Sequence, residues 1–196
     1  MNNQRHRWFV GKNRPGDRTL KTQVMGLSSA QEMMSGATVL DLGCAEGILI
    51  EQYFKWCAAL VHGVEIIEEA ANDARELLAD FIVDGRCHIA TGAIERLDIV
   101  EGLLDRYDVV CALGVMHKTR NVIDPLRNAA KRAGKFFILR NPPENGRVIG
   151  GHRQHGDRFD CVEIIRDTHT LIEETRGWND EWIGYFSANN SKQESE

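Results

Sequence analysis

Residues able to do chemistry gather first in Val39 to Ile48, VLDLGCAEGI. A short apolar run carries Asp41 between Leu40 and Leu42. Gly43, Ala45 and Gly47 then place a small residue at every second position. A turn stripped of side chains lets the backbone approach a ligand closely. A helix after such a turn presents its free N–H groups to the same ligand. With an acid at the strand end, the stretch predicts a site for a ligand that has a nucleoside and a charged tail. One helix length further on, HGVEI ends a second strand-like run on Glu65. A carboxylate there can accept hydrogen bonds from two donors at once. YDVVCALGVMHK leads to His117. Histidine titrates near neutrality, which makes His117 the candidate base.

These residues need a frame. Apolar runs at ATVLDLG, LVHGVEI, CHIATG, YDVVCALGV and KFFILR read as strands. Helix-like stretches lie between them: ILIEQYFKWCA, EEAANDARELLADF, and DPLRNAAKRAG, which opens near Pro125 and stops at Gly134. The alternation predicts βαβ crossovers and a mainly parallel sheet. Continuous apolar strands fit burial on both faces. In such a sheet ligands lie at the carboxyl ends of the strands, near the point where strand order reverses. After Arg140 the rhythm changes. NPPENGRVIGGHRQHG reads as a long loop and RFDCVEIIRD as a short helix. HTLIEETRGWNDEWIGYFSA reads as an antiparallel hairpin around GWND. A helix is expected in LKTQVMGLSSAQEMM, after an irregular start.

The 196 residues suit one domain with a full core, and the 42% hydrophobic share is that of a globular chain. The expected division is a basic segment and helix over 1–36, a catalytic domain over 37–188, and a polar tail over 189–196. No apolar run approaches a membrane span, and MNNQRHRWFV has no secretory h-region. Five scattered cysteines without metal-ligand spacing point to a reducing, cytoplasmic setting. Net charge is −5, but residues 1–21 carry +5 and the remainder −10. A basic arm on an acidic body can meet phosphate or an anionic substrate.

The ordered motifs resemble those of class I S-adenosylmethionine-dependent methyltransferases over about residues 37–140. Asp41-x-Gly43-x-Ala45-x-Gly47 is similar to the family's D/E-x-G-x-G-x-G, with alanine in place of the middle glycine. It lacks the G-x-G-x-x-G spacing of dinucleotide binders. The resemblance implies an α/β fold: a seven-stranded, mainly parallel sheet flanked by helices, with the last hairpin antiparallel. It implies that Asp41, Gly43, Cys44, Ala45 and Gly47 hold the aminoacyl end of S-adenosyl-L-methionine and that Glu65 holds its ribose. Ala93 and Ile94 stand where the family often has an acid for the adenine amino group, so Ile94 or a backbone group takes that role. YDVVCALGVMHK matches the family's D-V-V-x-x-x-x-V-x-H. Leu113 and Gly114 would line the cofactor, and Met116 and His117 would face the acceptor.

Methyl transfer is an in-line displacement, so proximity and alignment supply most of the acceleration, and a base is needed only if the acceptor loses a proton. The implied activity is methyl transfer to oxygen or nitrogen of a small molecule. A second reading is an RNA- or tRNA-modifying enzyme. GVMHKTRNVIDPL is similar to a stretch of the enzymes that alkylate wobble 5-hydroxyuridine, and Trp8 and Phe9 interleave the basic residues of 1–21. A third is a cofactor-binding subunit without catalysis of its own. Asn141-Pro142-Pro143-Glu144 resembles the N-P-P-Y/F of amino-methylating enzymes, but follows the fifth strand and lacks the stacking aromatic, so it reads as a turn. In GHRQHGD no metal site is expected from His152, His155 and Asp157. Arg147, His152 and Arg153 would meet an anionic substrate from a loop.

Overall fold

The computed structural model describes residues 18–119, 121–142 and 158–189. In chain order these form α1 (Leu20–Gln23), α2 (Ser28–Met34), β1 (Thr38–Leu42), α3 (Ile48–Lys55), β2 (Leu60–Glu65), α4 (Glu68–Leu77), α5 (Ala79–Val83), β3 (Cys87–Thr91), β4 (Tyr107–Leu113), α6 (Ile123–Arg132), β5 (Ala133–Asn141), α7 (Arg158–Ile165), β6 (His169–Arg176) and β7 (Trp182–Ala188). The seven strands make one sheet in the order β3-β2-β1-β4-β5-β7-β6. The first five are parallel. β7 enters antiparallel between β5 and β6. Strand order reverses between β1 and β4, so the ligand-binding crevice of an open sheet falls at their carboxyl ends.

Alternation along each strand divides the core in two. Val39, Val61, Val109, Cys111, Ile138 and Tyr185 face one side, where Met34, Ile50, Tyr53 and Ala74 of the helices meet them. Leu40, Leu42, Val64, Val110, Phe137 and Leu139 face the other, under Leu126 and Ala129 of α6 and Cys161 and Ile165 of α7. Burial on both faces is why the strands read as unbroken apolar runs. Each fully buried Leu or Phe contributes ~2–3 kcal/mol of transfer free energy.

Three local expectations change. The single helix over LKTQVMGLSSAQEMM is two, α1 and α2. The chain turns between them so that Leu27 and Met34 enter the core, and the Tyr185 hydroxyl donates to the Gly26 carbonyl at 2.7 Å. The long helix after Glu65 breaks at Leu78, a fully buried side chain, into α4 and α5. Gly134 does not stop α6. The helix ends at Arg132, and β5 starts at Ala133, paired with Tyr107. The closing hairpin forms as expected, with Asn179 and Asp180 at positive φ in its turn.

Candidate active site

The turn from β1 into α3 is locked to the end of β2. The N–H groups of Gly43 and Cys44 donate to the Val64 carbonyl at 2.8 and 3.1 Å. The N–H of Ala45 donates to Glu65 Oε2 at 2.9 Å, and that of Ile67 donates to Oε1 at 2.9 Å. Gly92, following β3, donates to the Glu65 carbonyl at 2.9 Å. Gly43, Ala45 and Gly47 hold φ of 73°, 48° and 81°. The small residues have a packing reason besides ligand access. A Cβ on Gly43 would stand 2.6 Å from Val115 Cγ2, and one on Gly47 would stand 3.0 Å from Ala74 and Leu78 of the next helix. Ala45 carries its left-handed φ with a Cβ in place, at a cost of about 1–2 kcal/mol. Backbone strain of this kind collects at functional sites.

Alternation places Asp41, Glu65, Leu113 and Arg140 on the same face of the sheet, near the carboxyl ends of four neighbouring strands. Asp41 is 2% exposed, and its Oδ2 meets no hydrogen-bond donor among the described residues. Burial pushes its carboxyl up to about 7; Arg140 opposes this and Glu65 adds to it. Below Asp41, the Tyr53 hydroxyl lies against the Cys111 thiol, and burial pushes both groups up. Glu65 is also buried, but each of its oxygens already accepts a backbone N–H. A carboxylate has about four acceptor sites, so two remain.

At the exit of β4, Gly114 donates to the Arg140 carbonyl at 2.9 Å, and the chain then forms a 3-10 turn over Met116–Lys118. His117 is half-buried, and its Nδ1 is enclosed without a hydrogen-bond partner among the described residues. Burial, then Lys118 and Arg18, lower its pKa to about 4. The imidazole is therefore neutral through the physiological range. Arg140 is fixed from three directions. Its two terminal nitrogens donate to the carbonyl and Oε1 of Gln23 at 2.9 and 2.7 Å, and its Nε lies 3.5 Å from Glu181 Oε2.

The structure thus brings together Asp41, Gly43, Ala45, Gly47, Glu65, Leu113, Gly114 and His117. Three sequence expectations need qualification. The side chain of Cys44 is in the core, with Sγ 2.8 Å from where a Cβ on Gly63 would stand, so only its backbone belongs to the turn. Ile94 is buried in the second core beside Ala93, which caps a 3-10 turn. Met116 does not face the acceptor: it is fully buried among Leu40, Val110 and Leu126, because the turn points it inward. Sequence reading missed Arg140, Glu181 and Gln23. A charged residue ending the apolar run KFFILR was the available signal. Residues 1–17, which hold most of the basic arm, lie outside the described residues. So do Arg147, His152, Arg153, His155 and Asp157, and with them the GHRQHGD expectations. Among the described residues no helix is long and apolar enough to cross a membrane, and no cluster of His, Cys, Asp and Glu could hold a metal.

No curated protein sequence matches the chain. Solved structures do. Magnesium protoporphyrin IX methyltransferase (ChlM) from Synechocystis PCC 6803, with bound SAM, is 20% identical, with 82% of this chain and 74% of that one covered at a TM-score of 0.64. N-methyltransferase NodS from Bradyrhizobium japonicum WM9, in complex with S-adenosyl-L-homocysteine, is 13% identical, with 87% and 85% covered at 0.68. A SAM-dependent methyltransferase from Aquifex aeolicus is 16% identical, with 86% and 93% covered at 0.68. At these identities the likeness establishes the class I methyltransferase fold. The family described as "Methyltransferase domain" matches residues 34–177, most of the length, and the chain belongs to that family.

Proposed function

We propose that the chain is an S-adenosyl-L-methionine-dependent methyltransferase acting on oxygen or nitrogen of a small molecule. One observation carries the reading. At the switch point of the sheet a buried acid, Asp41, keeps an oxygen without a donor among the described residues. Beside it, Glu65 is held by the turn itself and keeps two acceptor sites. An uncompensated buried carboxyl is costly, and such a group is accounted for when a ligand supplies the missing donors. The solved relatives that carry SAM or S-adenosylhomocysteine have the same fold.

The cofactor, when bound, supplies a methyl group on a sulfonium, already activated for displacement. Asp41 and the turn 43–47 hold the charged tail, and Glu65 accepts from the ribose hydroxyls. Ala93 and the backbone at Ile94 border the base, since the Ile94 side chain is committed to the core. Leu113 and Gly114 form the floor. His117 stands at the exit of β4 and orients the acceptor through Nδ1. It accepts a proton from acceptors that must lose one. A base with a pKa near 4 gains little driving force from that transfer, so positioning is its larger contribution.

Calorimetric titration with S-adenosylmethionine, S-adenosylhomocysteine and NAD tests the reading. Micromolar binding of the first two and none of NAD is expected. Binding of neither overturns the proposal. His117→Ala should leave S-adenosylhomocysteine affinity intact and lower turnover by roughly 100-fold. A His117→Ala enzyme with full turnover would remove His117 from the mechanism.

A further inference from the structure

Beside the cofactor groups, four basic side chains gather at the exit of β4. Arg18 and Lys118 both disfavour charge on His117. Arg18 and Arg140 do the same to Lys118, after desolvation and against the pull of Glu65. Arg18 also acts on Arg140. Glu181 is buried and shared between two of them, at 3.1 Å from the Arg18 guanidinium and 3.5 Å from Arg140. Arg140 is committed to Gln23 and Glu181 and serves as an anchor. His117 and Lys118 follow Gly114, whose N–H donates to the Arg140 carbonyl at 2.9 Å. Arg18 is 20% exposed and lies 5.0 Å over the Trp178 ring, and Lys118 is exposed. His117 Nδ1 is enclosed without a partner among the described residues.

We propose that Arg18, Lys118 and the Nδ1 side of His117 form an oxyanion subsite, which holds a carboxylate or phosphate of the small-molecule acceptor beside the methyl-transfer centre. This rests on the reading of the carboxyl ends of β1 and β4 as the S-adenosylmethionine site. Arg and Lys offer only donors, and an oxyanion offers only acceptors. A guanidinium fork suits both groups. In a partly desolvated corner the attraction is several times what it is in bulk water. An anion there also favours the imidazolium of His117 and so strengthens His117 as a base. Seating the acceptor thereby tunes the residue that receives its proton.

The test uses the full chain saturated with S-adenosylhomocysteine, at neutral pH and constant ionic strength. Inorganic phosphate and benzoate are titrated separately while the His117 imidazole signals are followed by NMR, identified by their loss in His117→Asn. A saturable shift is expected, and Arg18→Gln and Lys118→Met should each raise its half-saturation about tenfold. Lys118→Arg should restore it. Lys118 is exposed, so this pair of variants reads the subsite even if Arg18→Gln disturbs Glu181. The anion that acts at lower concentration names the group on the acceptor. Signals that do not move, or that keep the wild-type half-saturation in both charge-loss variants, overturn the subsite. A mixed-sequence RNA oligomer that displaces phosphate with a steep salt dependence overturns the small-molecule assignment. S-adenosylhomocysteine binding, measured by calorimetry on the same samples, separates the two failures. Binding without an anion response sinks the subsite alone, and no binding sinks the cofactor reading.

Discussion

Asp41 and Asp108 lie at opposite ends of two neighbouring strands, and the chain treats them differently. Asp108, at the amino end of β4, is fully engaged. Its Oδ2 accepts from the N–H and hydroxyl of Thr38 at 2.9 and 3.0 Å, and its Oδ1 pairs with Lys135 at 2.8 Å. Lys135 first, then Thr38, hold its carboxyl below the usual range. Nearby, the Tyr107 hydroxyl accepts the Leu104 N–H at 2.8 Å and meets His62 Nδ1 at 2.8 Å. Asp41, at the carboxyl end of β1, has an oxygen with no donor among the described residues and a carboxyl raised to about 7. His117 Nδ1 and the left-handed Ala45 share its end of the sheet. Buried polar groups are ordinarily satisfied, and exceptions collect where a ligand completes them. Asp108 is completed by the chain itself, whereas Asp41 keeps an oxygen that no donor among the described residues reaches.

Substitutions can break this contrast. The largest effect is expected from Asp41→Asn. Affinity for S-adenosylhomocysteine should fall by about 100-fold, the scale of a lost charge-assisted hydrogen bond. Stability should move the other way. The folded pKa of Asp41 lies above its ordinary 3.8, so its ionisation on going from about pH 4 to 7 costs folding free energy. Asn removes that cost, so the ligand-free variant should exceed the wild type by a few kcal/mol at pH 8, with the gain fading toward pH 4. Urea melts at the two ends of that range measure it. Gly43→Val is a less clean probe, because its side chain would strike Val115 and disturb the turn itself.

Asp108→Ala should give the opposite pair of results: a loss of ~2 kcal/mol at neutral pH, with S-adenosylhomocysteine affinity unchanged. The contribution of Asp108 is present above its unfolded pKa and is lost as pH falls through its depressed folded value, so variant and wild type should converge in acid. Tyr107→Phe is expected to be the smallest of the three, about 1 kcal/mol, from leaving the Leu104 N–H unpaired, again with binding intact. If either amino-end variant weakened ligand binding as much as Asp41→Asn, the contrast between the two ends would fail.

What the sequence made legible follows the same division. β1 to β5 were readable because burial on both faces leaves unbroken apolar runs. Asp41 and Glu65 were readable because each closes a strand beside a turn or helix start, a local pattern. Arg140, Gln23 and Glu181 were not. Arg140 and Gln23 are 117 residues apart in the chain and meet only because α1 packs over the end of β5. The inward turn of Met116 escaped notice for a related reason, since one residue of phase in a 3-10 turn decides between cleft and core. Gly43 and Gly47 do lie in the turn that their spacing predicts, but part of their reason lies in Val115, Ala74 and Leu78 from other elements. Local spacing locates the turn between β1 and α3, and tertiary topology decides which charges surround it.

The most direct test of the central claim is calorimetric titration of the chain with S-adenosylhomocysteine at pH 7, in two buffers of different ionisation enthalpy. A ligand ammonium beside Asp41 should lower its carboxyl from about 7, so binding should release roughly half a proton at pH 7 and none by pH 9. Binding that releases no proton at pH 7, or no binding at all, would contradict the account of Asp41 as an acid held open for a ligand.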